Sequence, residues 1–382
     1  MYWARRKITG LCGVLTLFVV ATIWLGGGYN FNKSDITNRT MVTKLNKADS
    51  TTRTTINKHR QCTRRTNIAF LKVHKCGSTT MSNILHRFAL RYNLNVVLPN
   101  TNGTQEHFWV LGTLDENTTK EIIPVARGEE YNILAVDTYY NKRIYKQLIP
   151  IHPFFLAILR EPVERYISFL FYFGKISHTM KQQMKTDPYI FRNYTNKAFS
   201  VLDDFSFHLQ NLNLNRFTER MDNEFDMIMV TEYFDQSLIL LKRKLCWTFQ
   251  DIIYITSNIN FQNKGYAVSP NDRQNMITRN INDSIFYEHF KSKLFKECNH
   301  FGVEFLEELH QFKMVLKLVR DYCTFVKKGD NALVIPESPW NQPFIVDPNE
   351  CFLMKLKEFP LVKMLQERQR NLYFDCSNKK VV

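Results

Sequence analysis

Residues Asn67 to Leu85 impose the strongest local constraint on the fold of this chain. The segment begins with a short, mostly apolar run, Ile68 to Val73, which is typical of a buried strand. A small, polar and basic stretch, His74 to Thr80, follows, and the apolar positions from Met81 to Phe88 recur at helical spacing. A strand, a tight loop and a helix place backbone N–H groups and a helix N-terminus against an anion. The segment therefore predicts a loop that binds phosphate or sulfate.

A second strand and helix repeat this layout farther along the chain. The apolar run Phe154 to Leu159 ends at Arg160, and a helix is predicted through Val163 to Phe173. The planar guanidinium of Arg160 suits a phosphate, and Ser168 offers a hydroxyl from the helix. Ligands of parallel α/β sheets bind at the carboxyl ends of the strands. We therefore expect Lys75 of the first loop and Arg160 to meet at one edge of a sheet.

The remaining pattern alternates strands with helices, which favours an α/β fold with a central parallel sheet flanked by helices. The Walker A sequence of kinase-type P-loops is absent, which disfavours a kinase-type nucleotide site. Further strands are predicted at Tyr131–Val136, Phe225–Val230 and Ile252–Ile255, and further helices at Ser82–Tyr92, Arg143–Leu148, Phe234–Leu245, Ser284–Tyr322 and Cys351–Tyr373.

The N-terminus indicates a membrane anchor. Three basic residues precede an uncharged run, Ile8 to Leu25, which spans about 27 Å as a helix. We predict a cytoplasmic tail at residues 1–7, a transmembrane signal-anchor at 8–28, a flexible stem at 29–61 and one luminal domain at 62–382. A cleaved signal peptide is the alternative, and it also puts the domain in the secretory pathway.

Two further patterns agree with a luminal domain. The chain contains six Asn-x-Ser/Thr sequons, at Asn32, Asn38, Asn102, Asn117, Asn193 and Asn282. Of the cysteines beyond the anchor, Cys76 lies in the anion loop and is predicted to be unpaired. The other six can form up to three disulfides of open connectivity: Cys62, Cys246, Cys298, Cys323, Cys351 and Cys376. No Cys-x-x-C pair is present, and no metal site is predicted.

The two anion elements together resemble those of the sulfotransferase fold, and within it the galactose 3-O-sulfotransferase family. Phe70 to Thr80 is similar to the family's 5′-phosphosulfate loop, and Ile158 to Ser168 to its 3′-phosphate element. A third similar stretch, Phe225 to Leu238, points to this family among sulfotransferases. The resemblance covers residues 67–254 well and the C-terminal third loosely.

This resemblance implies a type II Golgi membrane enzyme that transfers a sulfuryl group from 3′-phosphoadenosine 5′-phosphosulfate (PAPS) to a galactose 3-hydroxyl. PAPS would be a co-substrate, and no permanently bound cofactor is expected. Catalytic roles fall to Lys75, to His74 as the base, and to Asp137. Donor binding is assigned to Lys72, Lys75, Cys76, Gly77, Ser78, Thr79, Thr80, Arg160 and Ser168.

One departure from the family bears on catalysis. Where the family carries a His-His pair, this chain reads Ala135-Val136-Asp137-Thr138. Three readings follow: Asp137 replaces a histidine as the base, His74 acts alone, or activity is reduced or lost. His152 is a weaker candidate for the base.

The net charge of +15 suits several anionic partners, and the compartment chooses among them. A luminal location disfavours nucleic acid and favours the donor, a galactose-terminated glycolipid or glycan, and the Golgi membrane; a homodimer is possible. The alternatives are a catalytically impaired, membrane-anchored glycan-binding glycoprotein and a luminal glycosyltransferase. Many glycosyltransferases carry an Asp-x-Asp tripeptide, and this chain contains none.

Overall fold

A computed structural model describes residues 62–100, 110–112, 118–172, 200–255 and 268–378. These residues belong to one compact unit that spans Gln61–Val382. The predicted tail, anchor and stem, and the sequons other than Asn282, lie outside the described ranges. Asn282 is exposed. None of the helices in the described ranges combines the length and the apolar character that a membrane crossing needs.

A four-stranded parallel sheet forms the centre of the unit. Its strands are β1 (Ile68–Leu71), β3 (Ile133–Leu134), β5 (Phe154–Leu159) and β6 (Met227–Val230), in the order β3-β1-β5-β6. All three neighbouring pairs are parallel, with Ile68 opposite both Ile133 and Phe154. Every residue of these strands is buried, so they read as continuous apolar runs rather than as alternating ones. The predicted central parallel sheet is confirmed.

Two small sheets accompany the central one. Strand β2 (Val110–Gly112) pairs in parallel with β4 (Asp137–Thr138), and β7 (Leu333–Ile335) forms an antiparallel hairpin with β8 (Phe344–Val346). Because β4 follows directly after β3, it carries Asp137 beyond the carboxyl edge of the central sheet.

Helices cover the sheet and build most of the C-terminal half. Their bounds are α1 Ser78–Arg91, α2 Lys142–Leu148, α3 Pro162–Tyr172, α4 Leu214–Glu224, α5 Phe234–Leu245, α6 Phe249–Ile252, α7 Pro270–Arg279, α8 Ile281–His300, α9 Gly302–Phe325, α10 Pro348–Lys355 and α11 Glu358–Asn378. Short 3-10 turns lie at Thr118–Glu121, Val201–Asp203, Phe207–Leu209 and Thr231–Tyr233.

The predicted strand at Ile252–Ile255 is wrong. Residues Phe249–Ile252 form helix α6, because Thr248 and Asp251 build a capping box in which each side chain binds the other residue's backbone N–H. The apolar side chains of Ile252 and Ile253 are buried, but a run this short fits a helix end as well as a strand. The predicted C-terminal helix is divided in two, α10 and α11.

Among the residues that the structure describes, disulfides join Cys62 to Cys246 and Cys323 to Cys351. Cys76 is a free, buried thiol, as expected for the loop cysteine. Cys298, one of the possible disulfide partners, is also free and buried. It lies on α8, with its thiol among core side chains.

Candidate active site

The loop between β1 and α1 has the backbone shape of an anion cradle. Lys75 and Gly77 both adopt left-handed conformations, with φ of 62° and 76°. At Gly77 a side chain would be strained by this φ, and its Cβ would lie 3.4 Å from Thr231 Cγ2. The Thr231 hydroxyl lies 2.5 Å from the Cys76 carbonyl oxygen and 2.8 Å from the Leu159 carbonyl oxygen. Thr231 therefore fixes the loop to the end of β5.

This shape leaves a row of donors at the N-terminus of α1. Within the described ranges, the backbone N–H groups from Lys75 to Thr79 have no intramolecular acceptor. The first turn closes with the N–H groups of Thr80 and Met81 on the Gly77 carbonyl, at 3.0 and 3.4 Å. The Ser78 hydroxyl donates to the Val73 carbonyl at 2.7 Å, so Ser78 offers its N–H to a ligand rather than its hydroxyl proton. Free N–H groups at the start of a 14-residue helix form an anion site.

Two cations lie beside this cradle. Arg160, directly after β5, reaches the Lys75 carbonyl oxygen with Nη1 at 3.5 Å. Burial, followed by the charges of Arg160 and Lys72, lowers the pKa of Lys75 to about 8. Crowded cations of this kind favour the arrival of an anion. The predicted meeting of Lys75 and Arg160 at the carboxyl edge is what the structure shows.

Ser168 lies on the helix face that turns toward the loop. The Lys75 ammonium lies 3.7 Å from the centroid of the Tyr172 ring. Ser168 and Tyr172 are four residues apart on α3 and therefore share a face. Ser168 is half-buried.

His74 is held by a buried carboxylate. Its Nδ1 lies 2.5 Å from Asp204 Oδ1, and its backbone N–H donates to Asp204 Oδ2 at 3.3 Å. Arg165, which is buried, donates from Nη2 to Asp204 Oδ2 and from Nε to the His74 carbonyl oxygen, at 3.1 and 2.9 Å. The hydrogen bond that His74 donates to Asp204 is the largest of the causes that raise the pKa of His74. An Nδ1–H bonded to a carboxylate leaves Nε2 as the basic nitrogen.

Lys72, Asp137 and Glu358 form a second buried cluster. The Lys72 ammonium lies 2.5 Å from Asp137 Oδ2 and 3.0 Å from Glu358 Oε1. Burial lowers the pKa of Lys72, but the two carboxylates outweigh burial and raise it. Burial, and then the charge of Asp137, raise the pKa of Glu358, although Lys72 and a hydrogen bond from Thr79 oppose the rise. Lys72, assigned to the donor from the sequence, thus has its ammonium between two carboxylates.

The remaining sequence candidates take other positions. Cys76 is fully buried, its Sγ faces the His74 carbonyl oxygen at 3.5 Å, and burial raises its thiol pKa to about 12. Cys76 can therefore contribute to donor binding only through its backbone. Thr79 and Thr80 are half-buried in the first turn of α1. His152 is exposed and precedes the first residue of β5, so it lies at the opposite edge of the sheet from Lys75.

Sequence reasoning missed four residues of this site: Thr231, Arg165, Asp204 and Glu358. Thr231 and Arg165 lie within the family-like stretches, and Thr231 also follows directly after β6, which was the available signal. Asp204 lies 130 positions from His74 in the sequence. Glu358 lies in the first turn of α11. No spacing or periodicity marks either acidic residue.

Comparison with known proteins agrees with this geometry. Galactosylceramide sulfotransferase from Homo sapiens is 25% identical over 297 residues, which cover 72% of this chain and 69% of that protein. Galactose-3-O-sulfotransferase 3 from Homo sapiens is 25% identical over 312 residues, covering 74% and 70%. Galactose-3-O-sulfotransferase 2 from Homo sapiens is 26% identical over 250 residues, covering 61% of each chain. The sequence model of the galactose-3-O-sulfotransferases matches residues 14–334, which is most of the chain. With its anion cradle on the carboxyl edge of a parallel sheet, this chain belongs to the galactose-3-O-sulfotransferase family.

Proposed function

We propose that this protein transfers a sulfuryl group from PAPS to the 3-hydroxyl of a galactose residue on a glycolipid or glycan. The observation that carries the proposal is the row of free N–H groups from Lys75 to Thr79, with the cations of Lys75 and Arg160 beside it. PAPS is anionic at two places, the 5′-phosphosulfate and the 3′-phosphate. The cradle suits the first, and Arg160 with Ser168 on α3 suits the second.

In the transfer, the acceptor oxygen attacks sulfur while the bond from sulfur to the bridging oxygen of the phosphate breaks. Negative charge then develops on the departing phosphate. The Lys75 ammonium and the N–H groups of the cradle stabilise that charge without moving, because Thr231 and Arg165 hold the loop in place. By analogy with phosphoryl transfer, positioning and charge stabilisation are the main contributions of the protein.

The acceptor hydroxyl must lose its proton as the new bond forms. His74 is the base in this proposal, with Nε2 taking the proton and Asp204 stabilising the resulting imidazolium through Nδ1–H. Asp204 is a positioning residue, since it acts through His74. This dyad supports the interpretation that His74 acts without a second histidine.

We also propose that the protein is a single-pass type II membrane protein of the Golgi, with residues 8–28 as the signal-anchor and the catalytic domain in the lumen. The basic residues before the apolar run and the six sequons support this placement. The two disulfides fit an oxidising compartment. A homodimer is a further expectation, to be tested by the mass of the purified protein.

The direct test is transfer of labelled sulfate from PAPS to β-galactosides, namely galactosylceramide, lactosylceramide and N- or O-glycan galactosides. We expect transfer to at least one of them, and a loss of about 10²- to 10³-fold in kcat for Lys75→Ala, the scale for removing one charge-stabilising group. Lys146→Ala removes an exposed lysine on α2 and is the matched control. Full activity in Lys75→Ala would refute the role of Lys75.

A second candidate function is glycan binding without catalysis, which the presence of Asp137 in place of the family's histidine motivates. Calorimetry with the desulfated donor product separates the two functions. Tight binding of that product, together with no sulfate transfer to any acceptor of the panel, would favour the binding protein.

A further inference from the structure

Two polar atoms face each other across a gap beside the proposed base. His74 Nε2 and Asp137 Oδ1 are 3.9 Å apart, too far for a direct hydrogen bond. Each residue is held by its other polar atom, His74 through Nδ1 on Asp204 and Asp137 through Oδ2 on Lys72. The His74 side chain is 37% exposed, so the gap opens to solvent.

Neither of the facing atoms has another polar partner among the residues that the structure describes. Asp137 is only 8% exposed, and its one strong contact, with Lys72, lies on the side of Oδ2. A carboxylate oxygen that faces such a gap without a protein donor is free to accept a hydrogen bond from whatever enters it. The Asp137 Oδ1 atom is therefore suited to accept a hydrogen bond from a ligand that enters the gap.

We propose that Asp137 is an acceptor-binding residue, whose Oδ1 accepts a hydrogen bond from the sugar hydroxyl adjacent to the one that His74 deprotonates. This inference rests on the proposed function and names the acceptor class, a sugar with a vicinal pair of free hydroxyls. Adjacent pyranose hydroxyls are close enough for one to bind Nε2 and the other to bind Oδ1, each at an ordinary hydrogen-bond length of about 2.7–3.0 Å.

The surroundings of Asp137 favour this role over that of a base. Lys72 holds Oδ2 at 2.5 Å, and Lys72 is fixed in turn by Glu358 at 3.0 Å. Because the Lys72 ammonium occupies Oδ2, Oδ1 is the oxygen left to accept a hydrogen bond from a ligand. The buried cluster thus fixes the direction of Oδ1, which is the requirement for reading the position of a hydroxyl.

The test compares methyl β-galactoside with its 2-deoxy and 4-deoxy analogues, each of which retains the 3-hydroxyl. In the wild-type enzyme, kcat/KM is expected to fall about 10- to 160-fold for the analogue that lacks the hydroxyl bound by Asp137, the scale for a hydrogen bond to a charged group. The other analogue identifies the orientation of the sugar. Unchanged kcat/KM for both analogues would overturn the proposal, and this comparison needs no variant.

Variants then assign the loss to Asp137. In Asp137→Ala, kcat/KM for the intact acceptor is expected to fall by a similar factor, with no further loss for the sensitive analogue. Asp137→Asn keeps an oxygen that accepts hydrogen bonds and should retain part of the discrimination. Asp321→Asn, an exposed position on α9, is the control. Thermal unfolding reports whether the variants are folded.

Two results would contradict the proposal at this stage. If Asp137→Ala discriminates between the acceptors as strongly as the wild type, the sensitive hydroxyl binds elsewhere and the assignment of Asp137 is wrong. If the wild type sulfates no galactoside at all, the proposed function itself fails, and the assignment fails with it. If the enzyme sulfates galactosides but Asp137→Ala does not change its discrimination between the acceptors, only the role of Asp137 is refuted and the proposed function stands.

Discussion

Replacing Asp204 by Asn tests the proposed base most sharply. The substitution keeps the shape of the side chain and removes the charge that accepts from His74 Nδ1 at 2.5 Å. A hydrogen bond to a charged group contributes about 1.5–3 kcal/mol, so kcat should fall about 10- to 160-fold. Asp204→Asn also removes the carboxylate partner of the buried Arg165, which keeps its bond to the His74 carbonyl oxygen. We expect a loss of stability of about 3 kcal/mol.

The pH profile separates the chemical effect from the loss of stability. Asp204 raises the pKa of His74, and the base must be neutral to act, so activity rises as the pH passes upward through that pKa. Without the Asp204 charge the pKa of His74 falls, and the acidic limb of kcat/KM should move to lower pH while the plateau drops. Partial unfolding would lower the whole profile without moving the limb.

The matched control is Asp203→Asn. Asp203 is the neighbouring residue, but it is about half exposed and lies 3.7 Å from the exposed His208. An exposed pair of this kind contributes little, so activity and stability should remain close to those of the wild type. An Asp204→Asn enzyme with an unchanged plateau and an unmoved acidic limb would show that His74 is not the base.

Three other results are expected. The alkaline limb of kcat/KM should lie near pH 8, because the reaction needs the Lys75 ammonium and the pKa of Lys75 is lowered to about 8. The charge of Arg160 contributes to this lowering, so Arg160→Gln should move the limb to higher pH. A limb that stays fixed would exclude Lys75 as its origin. Burial raises the pKa of Glu358, so the contribution of Glu358 to stability is lost as the pH rises. In denaturant titrations, the unfolding free energy should fall less from about pH 5 to pH 8 for Glu358→Gln than for the wild type. Equal falls in the two proteins would contradict this. Removal of the Cys62–Cys246 disulfide, which joins residues 184 apart, should destabilise the protein by about 5 kcal/mol in chain-entropy terms, and an unchanged unfolding midpoint would contradict that estimate.

The sequence predicted the part of the site that depends on neighbouring strands. Lys75 and Arg160 each follow an apolar run, and those runs are adjacent parallel strands, β1 and β5, so the meeting of the two cations follows from topology. The helix Phe234–Leu245 was also predicted to the residue, because its leucines repeat on one face. Local periodicity and strand ends carry this information.

Other features depend on contacts that leave no local mark. Asp204 follows a 3-10 turn, and its role arises only when Arg165 and His74 converge on it. Asp137 was predicted as a site residue because it stands where the family carries a His-His pair, but its partner Lys72 was assigned to the donor. Which of two anions a buried lysine binds depends on packing, because a carboxylate of the same chain and a ligand phosphate are chemically similar partners.

The position of Glu358 has a consequence for how the protein is made. The match to the family's sequence model ends at residue 334, whereas the Glu358 carboxylate that flanks Lys72 lies beyond it, on α11. During synthesis the donor loop is therefore complete long before the residue that fixes Lys72 leaves the ribosome. A premature stop shortly after residue 334 would retain the matched region and still leave Lys72 without one of its two carboxylates. One of the two carboxylates that hold Lys72 is thus supplied by a segment outside the matched region.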